Sequence, residues 1–163
     1  MKNIYVFDLD NTLYEDPVDS EYMDEDIFYS KINKNLYMNK LLFNLKNRYL
    51  FSNGNNDHVN TVKNIMDLNS LFNKRKTVDR DQLDGYIKPH KNAFKKFIKK
   101  YNFNKTHNIY FFEDNIDNLK EAKHRFKWNT ILIDKNIKYK PEYVDYVFKN
   151  IEHALLFFNI KHK

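Results

Sequence analysis

Two aspartates, Asp8 and Asp10, follow an apolar run near the start of the chain. The run Ile4-Tyr5-Val6-Phe7 has the pattern of a buried strand. Because an unpaired buried carboxylate is very costly, both side chains must lie at the carboxyl end of this strand, where open α/β sheets bind their ligands. Asp8 could attack phosphorus as a nucleophile, while Asp10 could protonate the leaving oxygen and then deprotonate a water molecule.

A second polar group, Ser52-Asn53-Gly54, follows a short apolar run. A hydroxyl and exposed backbone N–H groups at a strand end can hold phosphoryl oxygens, so we assign these residues and Thr12 to substrate binding. Gly54 is one of two glycines in the chain, which indicates a backbone that turns or approaches a ligand closely. His58 lies nearby, but a lone histidine at a helix start is more often structural than catalytic.

A single lysine, Lys88, stands out from the other lysines because it immediately precedes a proline and a predicted helix. A cation at this position could offset the negative charge on the equatorial oxygens of a metaphosphate-like transition state. Its neighbours Lys91, Lys95 and Lys96 have the pattern of a solvated helix face instead. Lys88 is therefore the predicted catalytic cation.

Two further acids, Glu113 and Asp114, follow a second apolar run and repeat the strand-then-acid pattern. Together with Asp8 they would form a pocket of oxygen ligands, which suits Mg²⁺ better than zinc or copper. Asp117 could support this pocket or could only stabilise the start of its helix. These residue types predict a site for phosphoryl transfer.

The composition limits the classes of protein to be considered. The 163 residues suit one domain, residues 1–163, with a real core. The chain has no cysteine, which excludes disulfides and thiolate catalysis, and no apolar stretch that could span a membrane. We therefore expect a cytoplasmic protein. The net charge of +6 could suggest nucleic acid, but no nucleic-acid-binding signature accompanies it, so that partner is unsupported.

The order of the apolar patterns alternates strands with helices. This alternation predicts a Rossmann-like α/β fold, a parallel sheet covered by helices on both faces. We expect helices at about 31–47 and after an N-cap at Asn56 or Asp57. A charged loop is predicted at about 73–87, and Pro89 is expected in the first turn of the helix that follows.

The four motifs, in this order, resemble the haloacid dehalogenase superfamily of aspartate-nucleophile phosphatases. They are most similar to its pyrimidine 5′-nucleotidase-like branch, in Phe7-Asp8-Leu9-Asp10-Asn11-Thr12-Leu13-Tyr14, Ser52–His58, Lys88-Pro89-His90 with Ala93-Phe94, and Phe112-Glu113-Asp114 with Asn118. The resemblance implies Mg²⁺ bound by Asp8, Asp114 and the backbone carbonyl of Asp10. It also implies that Asp8 is the nucleophile, Asp10 the general acid and base, and Ser52 and Lys88 ligands of the phosphoryl group. In place of the two aspartates usual in that branch the chain has Glu113-Asp114, and Asn115 replaces a common serine.

Members of this superfamily that act on small substrates usually carry a cap domain after the first motif. Only 41 residues separate Asp10 from Ser52, and the core elements need about half of them. Four helices of mean length would need about 45 residues, so we expect a capless or minimally capped protein in which residues 11–30 form a flap or vestigial cap. The acids of this segment, without a basic residue nearby, could be solvated, could cover the site, or could contact the basic remainder of a second subunit in a homodimer.

The leading expectation is a Mg²⁺-dependent phosphomonoester hydrolase that forms an aspartyl-phosphate and acts on small phosphorylated substrates, nucleotides among them. An uncovered site leaves two alternatives open, a phosphoprotein phosphatase and a polynucleotide-end phosphatase. A protein of a different class, which binds a partner on the same fold without catalysis, would be expected to have lost part of a motif, and every motif is present.

Overall fold

The computed structural model describes residues 1–162 and places six strands in one sheet. The strands are β1 (Lys2–Phe7), β2 (Arg48–Phe51), β3 (Thr77–Val78), β4 (His107–Glu113), β5 (Asn129–Ile133) and β6 (Tyr146–Phe148). Their order is β3-β2-β1-β4-β5-β6, and every neighbouring pair is parallel. The predicted parallel α/β fold is confirmed.

Helices cover both faces of the sheet. They are α1 (Glu25–Ser30), α2 (Leu36–Asn44), α3 (Asn56–Ile65), α4 (Lys91–Tyr101), α5 (Ile116–Phe126) and α6 (Ile151–Lys161), with short 3-10 turns at Ser20–Tyr22, Lys74–Lys76 and Arg80–Leu83. α2, α3 and α6 pack on one face, while α4 and α5 pack on the other. Within residues 1–162, no helix has the length and apolar character needed to cross a membrane.

The central strand shows how the sequence builds two cores. Because successive side chains of a strand point to opposite faces, Ile4 and Val6 join one core and Tyr5 and Phe7 join the other. All four side chains are buried, so the strand is a continuous apolar run, as is typical of a parallel sheet between two helical layers. Because β1 is a central strand, its carboxyl end lies in the middle of the side of the sheet where the parallel strands end.

Asparagine side chains cap many of the helices. Asn35, Asn55, Asn115 and Asn150 each accept a backbone N–H bond from the first turn of the helix that follows. These asparagines thus have a structural role, since a capping side chain satisfies an otherwise unpaired N–H group. The predicted cap of α3 at Asn56 or Asp57 was wrong, because Asn55 occupies that position.

Three further element predictions differ from the structure. The helix expected at 31–47 spans only Leu36–Asn44, because the Asn35 side chain caps it and Leu45 is already extended. The loop expected at 73–87 contains β3, whose two residues are too few to show a pattern. Pro89 precedes α4 rather than entering its first turn, since His90 is the N-cap.

Candidate active site

The chain turns sharply where β1 ends, and this turn presents the two aspartates. The backbone N–H of Asp8 still donates to the carbonyl of Phe112 on β4, at 2.9 Å. Leu9 is fully buried and anchors the turn, and Asn11 adopts the left-handed conformation (φ 57°), which asparagine tolerates better than most residues. After this turn the side chain of Asp8 is buried, whereas that of Asp10 is partly exposed.

Lys88 forms the centre of a buried ion cluster. Its Nζ lies 2.6 Å from Oδ1 of Asp8, 2.8 Å from Oε2 of Glu113 and 2.7 Å from the carbonyl oxygen of Phe51. Asn53 holds the lysine backbone in place, because its side chain accepts from the N–H of Lys88 and donates to its carbonyl. Lys88 and the two acids are each buried, so water screens this cluster very little.

The burial and the charges of this cluster perturb its titration. Burial, together with the charge of Glu113, raises the pKa of Asp8 to about 7 against the opposing attraction of Lys88. Burial works to lower the pKa of Lys88, but the charges of Asp8 and Glu113 outweigh it and raise that pKa to about 12. One cation thus faces two acids in the interior, an imbalance that a bound divalent cation would correct.

The acids Asp8, Glu113 and Asp114 can offer one carboxylate oxygen each within 4.8 Å of one another. Oγ1 of Thr12 lies 3.3 Å from Oδ2 of Asp8 and 3.2 Å from Oδ1 of Asp114, so the two carboxylates share its single hydroxyl hydrogen. Burial is the largest cause that raises the pKa of Asp114, with the charge of Asp8 adding to it. An all-oxygen set of this kind fits Mg²⁺.

Glu113 differs from the other two acids because each of its oxygens accepts two hydrogen bonds. Oε1 accepts the backbone N–H groups of Asp114 and Asn115, and Oε2 accepts from Lys88 and from Nδ2 of Asn118 at 2.9 Å. Such a carboxylate is already satisfied, whereas Asp8 and Asp114 each keep acceptor capacity. Among the three acids, Glu113 is thus best placed to orient Lys88. Asp117 is exposed in the first turn of α5, at the helix N-terminus.

Ser52, Asn53 and Gly54 follow β2 as predicted. Ser52 is fully buried, and its Oγ accepts the N–H of Gly54 at 3.0 Å. A Cβ on Gly54 would come within 2.7 Å of Cδ2 of His58 and within 3.2 Å of Oγ of Ser52. The close approach that glycine permits is therefore an approach to the ring of His58.

His58 and Tyr14 were not among the predicted site residues, yet both bind Asp10. Nε2 of His58 lies 2.6 Å from Oδ1 of Asp10, and the hydroxyl of Tyr14 donates to the same oxygen. Burial works to raise the pKa of Asp10, but the hydrogen bond and charge of His58, together with the Tyr14 bond, hold it below its usual range. The hydrogen bond to Asp10 is the main cause that raises the pKa of His58. From the sequence, His58 was expected to be a structural residue, and its contact with Asp10 was not predicted.

The acidic segment 11–30 borders a cleft beside the site. The cleft, about 550 Å³ in volume, lies between the turn at 11–16, the residues that follow β5 and the start of α6, and Thr12 and Asp114 form part of its wall. Most acids of the segment are exposed. The expectation that no base lies near them was wrong, because Nζ of Lys135 lies 2.6 Å from Oε2 of Glu15.

Comparisons with solved structures agree with this topology. A HAD phosphatase from Thermococcus onnurineus superposes with a TM-score of 0.62 at 14% identity, over 97% of this chain and 98% of that one. A dehalogenase gives 0.59 at 18% identity over 74% of this chain, and a dehalogenase with an intermediate complex gives 0.61 at 16% over 86%. This chain spans 52% and 66% of the lengths of those two dehalogenases. The sequence matches no protein-family model and no curated protein.

The sheet order and these superpositions define the fold. The chain has the haloacid dehalogenase-type fold, a six-stranded parallel sheet between two helical layers. Within it, an acidic cluster able to hold a metal ion lies where the central strands β1 and β4 end.

Proposed function

We propose that this chain hydrolyses phosphomonoesters with the help of Mg²⁺, through a covalent intermediate on Asp8. The observation that carries the proposal is the contrast between its two aspartates. Asp8 is buried against Lys88, whereas Asp10 is partly exposed and held by neutral or cationic donors. Two carboxylates with different surroundings can take different roles, one as nucleophile and one as acid and base.

In the first half-reaction, an oxygen of Asp8 attacks phosphorus and the bond to the ester oxygen breaks. The proton of Asp10 passes to that leaving oxygen, which departs as an alcohol. An approaching phosphate dianion raises the pKa of a carboxyl beside it, because like charges disfavour the ionised form, so substrate promotes the protonation of Asp10. Lys88 offsets negative charge on the attacking side of the reaction.

In the second half-reaction, Asp10 is the ionised base. It takes a proton from water, whose oxygen attacks phosphorus while the bond between phosphorus and Asp8 breaks. Inorganic phosphate leaves, Asp8 is again a carboxylate, and Asp10 again carries a proton. The donors on Oδ1 of Asp10 favour its ionised form, which suits this step.

Asp8, Asp114 and the backbone carbonyl of Asp10 would hold the Mg²⁺ ion, with Glu113 as a further candidate. A bound ion would supply positive charge beside the nucleophile, and this charge would offset the repulsion between the Asp8 carboxylate and the phosphoryl oxygens. The acceptor capacity left on Asp8 and Asp114, and the excess of buried acids over cations, support this assignment.

Two of the similar structures are dehalogenases, so hydrolysis of a carbon–halogen bond is the competing activity. A halide leaves as a stable anion and needs no proton, whereas an alkoxide does. Asp10 is held by two donors, and its role as an acid for the leaving group is needed only in the second case. The presence of Asp10 therefore favours phosphate esters.

Small phosphomonoesters, nucleotides among them, are the proposed substrates, since the cleft beside Asp114 has the size of a small-ligand site. Phosphoproteins and polynucleotide ends are the alternatives, because segment 11–30 contains only α1 and one 3-10 turn. The exposed acids of that segment disfavour polynucleotides, which they would repel.

The experiment is a screen of phosphate release from small phosphomonoesters, a phosphopeptide and a phosphorylated oligonucleotide, each with Mg²⁺ and with EDTA. A haloacid serves as the competing substrate. Mg²⁺-dependent release from the small esters is the expected result. Halide release without phosphate release would overturn the proposal, and so would full phosphatase activity after exhaustive chelation.

A further inference from the structure

We propose that His58 is a positioning residue for Asp10, and that Tyr29 of segment 11–30 supports it. Together with Tyr14 they fix one oxygen of the Asp10 carboxyl, so that the other oxygen handles the proton of the leaving group. The inference rests on the proposed function, since it concerns the acid of that reaction. It assigns a role to Tyr14, His58 and Tyr29, for which the sequence alone predicted no chemical role.

The first observation is that two donors converge on a single oxygen. Oδ1 of Asp10 receives Nε2 of His58, at 2.6 Å, and the hydroxyl of Tyr14. Between residues 1 and 162, no group forms a hydrogen bond with Oδ2 of Asp10. The Asp10 side chain is 30% exposed, and Oδ2 is the oxygen that keeps its acceptor capacity for a substrate.

The second observation concerns the histidine ring, both of whose nitrogens are engaged. The hydroxyl of Tyr29 lies 2.9 Å from Nδ1 of His58. An ionised carboxylate can only accept, so Nε2 carries the hydrogen that bonds Asp10. A hydroxyl can donate to Nδ1 or accept from it, so the contact with Tyr29 holds the ring orientation in either case.

These contacts determine where the proton of Asp10 resides. An oxygen that already accepts two hydrogen bonds is a poor place for a further proton, so protonation occurs on Oδ2. The carboxyl cannot rotate without breaking both bonds on Oδ1. His58 and Tyr14 thereby hold Oδ2 as the oxygen that meets the leaving group, and such orientation is a large part of general acid catalysis.

The third observation links this arrangement to segment 11–30. Tyr29 lies in α1, and its ring centroid is 5.8 Å from that of His58, with Phe28 packed at 6.3 Å. Gly54 leaves room for the ring, since a Cβ there would come within 2.7 Å of Cδ2 of His58. Segment 11–30, the expected flap or vestigial cap, therefore contacts the acid through one tyrosine and one histidine, and its position bears on the orientation of Asp10.

The test compares turnover of glycerol phosphate, a poor leaving group, with that of p-nitrophenyl phosphate, a good one. His58→Ala should lose about 10-fold or more kcat on glycerol phosphate and much less on p-nitrophenyl phosphate, because only the poor leaving group needs the acid. His58→Gln, which keeps an N–H donor, should recover part of the loss. Adding His58→Ala to Asp10→Asn should cause little further loss.

Tyr29→Phe should show the same substrate dependence as His58→Ala but to a smaller degree. Tyr22→Phe is the matched control, since Tyr22 is exposed in the same segment, and it should behave as wild type. Equal losses on both substrates, or additivity of His58→Ala with Asp10→Asn, would overturn this inference while leaving the proposed function in place. A wild type inactive on both esters would overturn both.

Discussion

Nζ of Lys88 lies 2.6 Å from Oδ1 of Asp8, and the two side chains meet where neither is more than 8% exposed. The same Nζ also donates to Glu113 and to the carbonyl of Phe51, so three acceptors fix the position of the ammonium group. This arrangement prepares a nucleophile beside a fixed cation. It also makes the cation necessary to the fold, because its loss leaves buried acids unpaired.

Lys88→Met should therefore reduce both stability and turnover. Removal of one partner from a buried ion pair costs about 3–5 kcal/mol of unfolding free energy, because the other charge stays unpaired. Urea unfolding measures the loss, with Lys96→Met as control, since Lys96 pairs with the exposed Asp84. Equal stability of the two variants would contradict the buried cluster. Adding Glu113→Gln to Lys88→Met should restore part of the stability.

Asp114→Asn and Glu113→Gln should separate a metal ligand from an orienting acid. Asp114→Asn should weaken Mg²⁺ affinity by more than about 100-fold. Glu113→Gln, which changes a residue that acts through other ligands, should weaken it by about 10–100-fold. The measurement is a Mg²⁺ titration of activity, with calorimetric Mn²⁺ binding as a readout independent of turnover. A larger effect of Glu113→Gln on metal affinity would place Glu113 among the direct ligands.

Asp10→Asn should lose activity in proportion to the difficulty of the leaving group. General acid and base help contributes about 10²–10⁴-fold, and the loss should be smaller for p-nitrophenyl phosphate than for an alkyl phosphate. Steady-state rates on both substrates test this. If the rate fell by the same factor on both substrates, this would argue against Asp10 as the acid.

The sequence predicted the main parts of the site because parallel strands end at one edge of the sheet. Asp8 comes directly after β1, and Glu113 is the last residue of β4. Because these two strands are neighbours, the proximity of the two acids follows from the fold. Lys88 is different. It lies in a loop, and its position depends on two hydrogen bonds between its backbone and the Asn53 side chain, which the spacing of residues in the sequence does not reveal.

The environment of Asp10 could not be predicted for a similar reason. His58 and Tyr29 come from different helices and meet only in the folded chain. Two weak signals were present. Tyr14 follows Asp10 by four residues, and His58 lies in the first turn of α3, just after the cap Asn55.

Asp145 predicts a pH dependence of stability away from the site. Burial works to raise its pKa, but hydrogen bonds from Lys123 and from Thr130 hold it below the usual range. Because the folded pKa is the lower one, the ionised carboxylate stabilises the fold above the unfolded pKa of about 3.9, and this contribution is lost as the pH falls through the folded pKa. Asp145→Asn should thus be less stable than wild type at pH about 7, with the difference vanishing in acid.

Urea unfolding at several pH values measures this difference, and Asp84→Asn is the control. Asp84 is exposed and its pair with Lys96 is a surface one, so the control should differ little from wild type at any pH. A stability difference for Asp145→Asn that stays constant from neutral pH into acid would show that the carboxylate contributes through its shape and not through its charge.

The most direct test of the central claim is phosphate release by Asp8→Asn in saturating Mg²⁺. The amide is close in shape to the carboxylate but cannot attack phosphorus, so turnover should fall to background for every ester, p-nitrophenyl phosphate included. Circular dichroism checks that the variant is folded, and beryllium fluoride, which mimics an aspartyl-phosphate, should bind wild type but not Asp8→Ala. A folded Asp8→Asn protein that releases phosphate at a rate near that of wild type would contradict the covalent mechanism.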